Sequence, residues 1–227
     1  MATTTDLGSS LRLWQLISPA LPVGAYAYSA GLEYAVESGW VRDEAQLADW
    51  TTGQIEGAMA RLDLPVLGRL YDTWRAGDEP AVRRWTAFLL ASRETAELRA
   101  EDRHLGRALA RVLADMGTAE ARDWDTDRNV CWAALFALAA VRWGIDRESA
   151  AAGYLWAWLE NQVAAGVKLI PLGQTAGQRV LLRVSERIPA AVEYGFGVDA
   201  AAIGASAPGA VLASAAHETQ YTRLFRS

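Results

Sequence analysis

From Leu47 to Ile188 apolar side chains return every three or four positions, and almost nowhere do they alternate as in a half-buried strand. Runs rich in Val, Ile and Thr, the residues that suit a pleated surface, are nearly absent. Such a chain can bury its apolar surface only by packing helix on helix, so the expected fold is all-α. Punctuation divides the pattern into roughly ten helices. A first helix over Leu11 to Ile17 stops at Ser18-Pro19, because the residue before proline avoids helical dihedrals. An irregular turn follows, then a short helical face of Leu32, Ala35 and Val36 closed by Gly39.

Asp43 to Gln46 has the spacing of a capping box, opening a helix that runs from Glu44 to about Arg61 with Leu47, Trp50 and Ala58 inward. Asp63 and Pro65 begin the next, which Gly77 ends, and Asp78 with Pro80 begins another. A long charged segment from Ser92 to Met116 keeps one apolar seam of Leu98, Leu105, Leu109, Val112 and Met116, and Gly117 closes it. The run from Asp127 to Trp143 ends at Gly144, and Asp146 caps a helix reaching about Ile170, where Pro171 breaks it. Thr175 to Gln178 reads as a second capping box, leading into Val180, Val184 and Ile188. Tyr194 to Gly209 reads as loops with a short helix. No linker or internal repeat divides the chain, so 1–227 is expected to be one compact domain with a flexible start at about 1–10 and a partner-dependent tail at about 214–227.

Composition then removes function classes. The 227 residues carry a net charge of −5 and show no single basic face, which argues against nucleic-acid binding. Lys168 is the only lysine, and no Gly-Lys-Ser/Thr occurs, so a phosphate-cradling P-loop is excluded. The single Cys131 cannot form a disulfide within the chain, and a reducing cytoplasm is the easier setting. The polar opening from Met1 to Ser10 lacks the apolar centre of a secretion signal. Val130 to Val141, the longest apolar run, is far shorter than the ~20 residues of a membrane span and reads as a buried helix.

Several stretches invite chemical readings. Ala27-Tyr28-Ser29-Ala30-Gly31 lacks only the first glycine of a nucleophile elbow, but a helix and a proline turn precede it where a strand is required. Ser29 therefore reads as a helix cap or surface hydroxyl. His217-Glu218 begins a zinc motif, yet Tyr221 stands where the second histidine belongs. With two histidines and one cysteine, no tight metal site made by this chain alone is expected, and His104 reads as a half-exposed helical histidine. Arg99, Arg103, Arg107 and Arg111 recur every four residues, either as an anion-binding ladder or finger, or as a solvated face tied to Glu97, Glu101 and Asp115. Gly195 to Ala200 spells a dinucleotide fingerprint without the strand that would give it meaning.

Two stretches ask for more than packing. "KLIPLGQTAGQR", Lys168 to Arg179, sets Lys168, Gln174, Gln178 and Arg179 around a corner shaped by Pro171 and Gly173, with Thr175, Ala176 and Gly177 leaving room for close backbone approach. "HETQYTRLFRS", His217 to Ser227, mixes Tyr221, Arg223, Phe225 and Arg226, types enriched in binding hot spots, as a partner-ordered segment or as a last element docked on the chain's own core.

With "LWQLISPALPVGAYAYSAGLEYAVESGWV", "LPVLGRLY" and "RETAELRAEDRHLGRAL", these stretches resemble the urease accessory protein UreF family over most of the chain. The matched positions are Pro22, Gly24, Tyr28, Ser29, Gly31 and Glu33; Lys168, Pro171, Gly173, Gln174, Gly177, Gln178 and Arg179; and His217, Glu218, Arg223, Leu224 and Phe225. Ala25 and Tyr26 depart from the usual Gly and Phe, and Cys131 to Val141 is richer in Ala and Trp. The resemblance implies an all-helical homodimer that is not an enzyme and holds no cofactor. It joins the accessory protein UreD (also called UreH), recruits the GTPase UreG, and serves nickel delivery to apo-urease. It also implies a C-terminal segment ordered on binding UreD and, in one view of the family, regulation of the GTPase through an Arg or Lys. On that basis Tyr28, Ser29 and Glu33 are expected to be presented by a fixed turn. With Lys168, Gln174, Gln178, Arg179, His217, Glu218, Tyr221, Arg223, Leu224, Phe225 and Arg226 they form the candidate partner-binding set. Pro22, Gly24, Gly31, Pro171, Gly173 and Gly177 shape the turns.

Overall fold

The computed structural model describes residues 7–227. Helix takes up 71% of the chain, and no strand occurs among the described residues. The elements in order are α1 (Leu7–Leu16), α2 (Leu32–Glu37), α3 (Glu44–Gln54), α4 (Asp63–Ala76), α5 (Glu79–Ala91), α6 (Ala96–Asp115), α7 (Trp132–Arg142), α8 (Arg147–Leu169), α9 (Gln174–Ser185), α10 (Ile188–Gly197) and α11 (Pro208–His217).

The apolar run reads out directly as the molecular axis: every residue of α7 from Ala133 to Ala140 is fully buried. Each buried Leu or Phe there contributes roughly 1.5–3 kcal/mol, and an all-round apolar helix has no other stable position. Helices α4 and α6 make its largest contacts. Trp74 of α4 donates its indole N–H to the Ala134 carbonyl at 2.8 Å. Gly106 lets α6 approach the start of α7, where an added Cβ would lie 2.7 Å from the Cys131 carbonyl carbon. In the second half α8 carries α9, α10 and α2, α3 rests on α9, and α11 lies on α2.

Caps form at Asp43, Asp78 and Asp146, whose carboxylates accept from the N–H groups of Gln46, Ala81 and Ser149 at 2.8, 3.0 and 2.8 Å. Elsewhere tertiary contacts override the local pattern. The helix expected to reach Arg61 turns π-helical over Ile55–Met59. The long charged helix starts only at Ala96, with Thr95 as its cap, because Arg93 turns inward. Helix α7 starts at Trp132, since Asp127 bonds to its own loop at Asn129 N (2.7 Å) while Asp102 of α6 takes the Trp132 N–H (2.7 Å). Thr175 caps nothing, as α9 begins at Gln174 after Gly173 without a side-chain cap. Pro189 sits in the first turn of α10, where its missing N–H costs nothing. Of the segment from Tyr194 to Gly209, α10 takes the start up to Gly197, a short 3-10 turn covers Ala200–Ala202, and α11 begins at Pro208. Residues 7–10, expected to be flexible, belong to α1, and the rest of that expectation, 1–6, lies outside the described residues.

Candidate functional site

The opening turn does not display its polar residues. Tyr28, Ser29 and Glu33 are all buried, because the chain's own tail covers them. Gly24 and Gly31 have φ of +80° and +85°, a region open to glycine. At Gly31 the backbone of α11 presses so close that a Cβ would lie 2.7 Å from Ser214 N. Between them the turn and the tail pair through two backbone bonds, Arg226 N–H to Ala27 O (2.8 Å) and Ser29 N–H to Ser227 O (2.8 Å). The Ser29 hydroxyl donates to the same carbonyl of Ser227. Its expected helix-cap role is met in part, as it also accepts from Glu33 N at 3.3 Å. Asn161 of α8 steadies the turn by donating to Tyr28 O at 3.0 Å, and the Tyr28 ring rests on His104 at 5.7 Å.

Glu33 is the centre of the arrangement. One carboxylate oxygen accepts the Leu224 N–H at 2.6 Å, and the other accepts the Phe225 N–H at 2.8 Å and faces His217 Nε2 at 3.2 Å. His217, with no exposed surface, reaches Glu97 of α6 through Nδ1 at 2.7 Å, and both contacts are complete when both ring nitrogens carry protons. Glu97 in turn holds Arg223 Nη1 at 2.8 Å. Glu218 accepts the Ala96 and Glu97 N–H groups at 2.7 and 3.3 Å, so a tail residue caps α6 beside Thr95. Hydrogen bonds to buried charged groups contribute roughly 1.5–3 kcal/mol each, enough for this set to hold a segment without regular structure. Of the two readings of the tail, this chain shows the second, a last segment docked on its own core, with Phe225 buried and Lys168 Nζ 5.6 Å over its ring.

Deeper in, Arg93 joins Asp63 (2.5 Å) and Asp102 (2.9 Å), and Tyr154 donates to Asp63 at 3.3 Å. A cavity of about 140 Å³ is lined by Gln54, Asp63, Arg93, Glu101, Asp102 and Tyr154 among others, and by Ala210 and Val211 of α11. Burial pushes the Glu101 carboxyl up to about 7, with the hydrogen bond from Ser227 Oγ (2.9 Å) acting the other way.

The corner at Lys168 to Arg179 is dispersed. Gln174, Gln178 and Arg179 are exposed on α9, where Arg179 is forked onto Glu44 at 2.9 and 2.5 Å, a pair screened by solvent. Lys168 serves the tail instead. Gly177 is filled from within, a Cβ there lying 2.9 Å from Val167. Three of the four ladder arginines are engaged, by other elements than expected: Arg99 donates to Arg93 O (2.5 Å), Arg103 to Arg128 O (2.9 Å), and Arg111 pairs with Asp125 (3.2 Å), while Arg107 keeps a buried Nε without a hydrogen-bond partner. Among the described residues no group of three or more His, Cys, Asp or Glu is placed to hold a metal ion.

Thr95 and Asn161 escaped the sequence reading, and Glu97 and Glu101 entered it only as partners of a solvated arginine face. The signal was present at Glu97 and Glu101, like charges one helical turn apart, which strain a helix unless something outside it supplies donors.

The stretches that converge here are the most distinctive parts of the sequence. The UreF family model matches residues 41–185. Similar proteins named "Urease accessory protein UreF" come from Alkalilimnicola ehrlichii, 54% identical with both chains covered completely, and Hahella chejuensis, 48% identical over 96% of this chain and 97% of the other. A third from Teredinibacter turnerae is 48% identical over 96% and 98%. This chain belongs to the UreF family. Within a UreF chain the opening turn, the start of α6, the end of α8 and the tail thus form one corner. Its buried side is a hydrogen-bonded latch, and its outer side presents Tyr221, Arg223, Leu224 and Arg226 to solvent.

Proposed function

We propose that this UreF-family chain is a non-enzymatic assembly protein for urease maturation. It acts as a cytoplasmic homodimer that bridges UreD (UreH) and the GTPase UreG on apo-urease so that the nickel centre can be built. The observation that carries this reading is the docked tail. Its anchoring side chains and backbone are held inside, while Tyr221 and Leu224, wholly and two-thirds exposed, stand outside on a fixed frame. A rigid aromatic and an aliphatic anchor flanked by Arg223 and Arg226 have the composition of an interface hot spot, pre-ordered so that little entropy is lost on binding.

Co-purification tests it: the full chain is expected to retain UreD and UreG, and a chain lacking 218–227 to lose UreD. Retention of neither partner by the intact chain sinks the proposal. The alternative role, an arginine finger acting on UreG, calls for ~10³-fold faster GTP turnover on adding this protein. A change of only a few-fold favours the scaffold.

A further inference from the structure

From Arg103 to Ala114 helix α6 carries Arg103, His104, Arg107 and Arg111 and no acidic residue, in a chain whose net charge is −5. The arginines stand four residues apart. Each step along such a row rises roughly 6 Å and turns only about 40°, so the three guanidinium groups share one face of the helix. Like charges at this spacing oppose the helix that carries them. The helix dipole accounts at most for Arg111, because Arg103 and Arg107 stand two turns or more inside the C-terminal end at Asp115, beyond its reach.

Nor are these charges answered from within. Arg103 donates to a backbone carbonyl, Arg128 O, which leaves its charge unpaired. Arg107 feels the charge of Asp127, but Arg83 holds that carboxylate at 2.6 Å, and the Arg107 Nε is buried without an acceptor. Arg111 meets Asp125 at 3.2 Å in an exposed pair that solvent screens. Burial, then the charges of Arg226, Arg111 and Arg107, hold the His104 ring below its ordinary value, so the imidazole is neutral at pH 7 and arginine carries the charge of the row. A buried guanidinium nitrogen without an acceptor, within a row of uncompensated like charges, is completed by acceptors from outside the chain.

We propose that Arg103, Arg107 and Arg111 form a docking ridge for an acidic helix of a partner protein, whose carboxylates recur one turn apart and meet successive guanidinium groups. The spacing selects this occupant. A single phosphate occupies one step of the row and leaves the others unanswered. A nucleic-acid backbone, charged at every step, meets Asp125 and Asp127 beside the row and an acidic chain behind it. Asp or Glu side chains four residues apart on a helix match the roughly 6 Å step, and a planar guanidinium takes a carboxylate through two parallel bonds. The ridge is separate from the exposed tail residues and holds whether or not Tyr221 and Leu224 bind a partner.

Titration of the full chain with synthetic helical peptides, followed through the amide resonances of α6, tests the ridge. One peptide carries Glu at every fourth position along one face, a second has the same composition with the Glu residues scattered around the helix, and a third has Gln for Glu. At about 0.05 M salt the first is expected to bind roughly tenfold more tightly than the other two, and to weaken as salt rises to about 0.3 M. Arg107→Gln breaks no ion pair among the described residues and is expected to weaken the first peptide roughly three- to tenfold at an unchanged melting temperature. Arg84→Gln, at an exposed arginine of α5, is the control and should leave binding as it was. Absence of binding by the first peptide, equal binding of all three, or no loss on Arg107→Gln overturns the proposal. Tighter binding of inorganic phosphate or of a single-stranded oligonucleotide than of the first peptide overturns it as well.

Discussion

Glu33 does with one side chain what a strand would do with a ladder: it gathers two consecutive amide N–H groups of an irregular segment and a histidine ring. Replacing it by alanine leaves three donors buried without acceptors, each worth roughly 1–3 kcal/mol, offset in part when the tail swings out to water. Glu33→Ala is expected to cost about 3 kcal/mol and to lower the melting temperature by roughly 6–12 °C. A change under about 1 °C by circular dichroism would show that the carboxylate is incidental. The residue was visible in the sequence as one to watch, but its direction was not. Acidic residues at a helix start are usually exposed, and only the tail, nearly two hundred residues away, supplies the donors that turn Glu33 inward. Lys168 tells the same story, singled out as the lone lysine beside Gln178, yet placed over the Phe225 ring.

At the scale of elements, periodicity placed nearly all the helices and caps marked many of their starts, because both are local. What it missed was non-local. Arg93 breaks the long charged segment to reach Asp63 at the start of α4 and Asp102 on α6, while Asp102 also caps α7. The guanidinium therefore ties α4 to α6, and through Asp102 to α7, and the local propensity for helix at 92–95 yields to it. Helix α11 was given no element of its own because its Ala, Gly and Ser offer little periodicity, yet its backbone lies close against Gly31. Arg93→Met keeps much of the side-chain volume but leaves two enclosed carboxylates facing each other. Urea unfolding at neutral pH is expected to show a loss of about 3–5 kcal/mol. A loss below about 1 kcal/mol would mean that the triad orders the helices without stabilising them.

At the scale of the whole molecule, four stretches scattered from residue 22 to 227, the opening turn, the start of α6, the end of α8 and the tail, become one corner, a fact that no periodicity carries. The likeness to a family named those stretches without saying that they touch. If the corner is one unit, its parts cannot contribute independently, and a double-mutant cycle exposes this. In the full chain Glu33→Ala removes the contacts to Leu224, Phe225 and His217 together. In a chain lacking 218–227 the two amides are already gone, and the substitution removes only the contact to His217. The cost should fall from about 3 to about 1 kcal/mol, a coupling of about 2 kcal/mol, within the range of residues sharing a network. Arg93→Met, one layer deeper, serves as the control and should cost the same within about 0.5 kcal/mol in both chains. Should Glu33→Ala cost the same with and without the tail, the carboxylate would be stabilising α2 and His217 alone, and the tail would be held by its backbone pairing with Ala27 and Ser29.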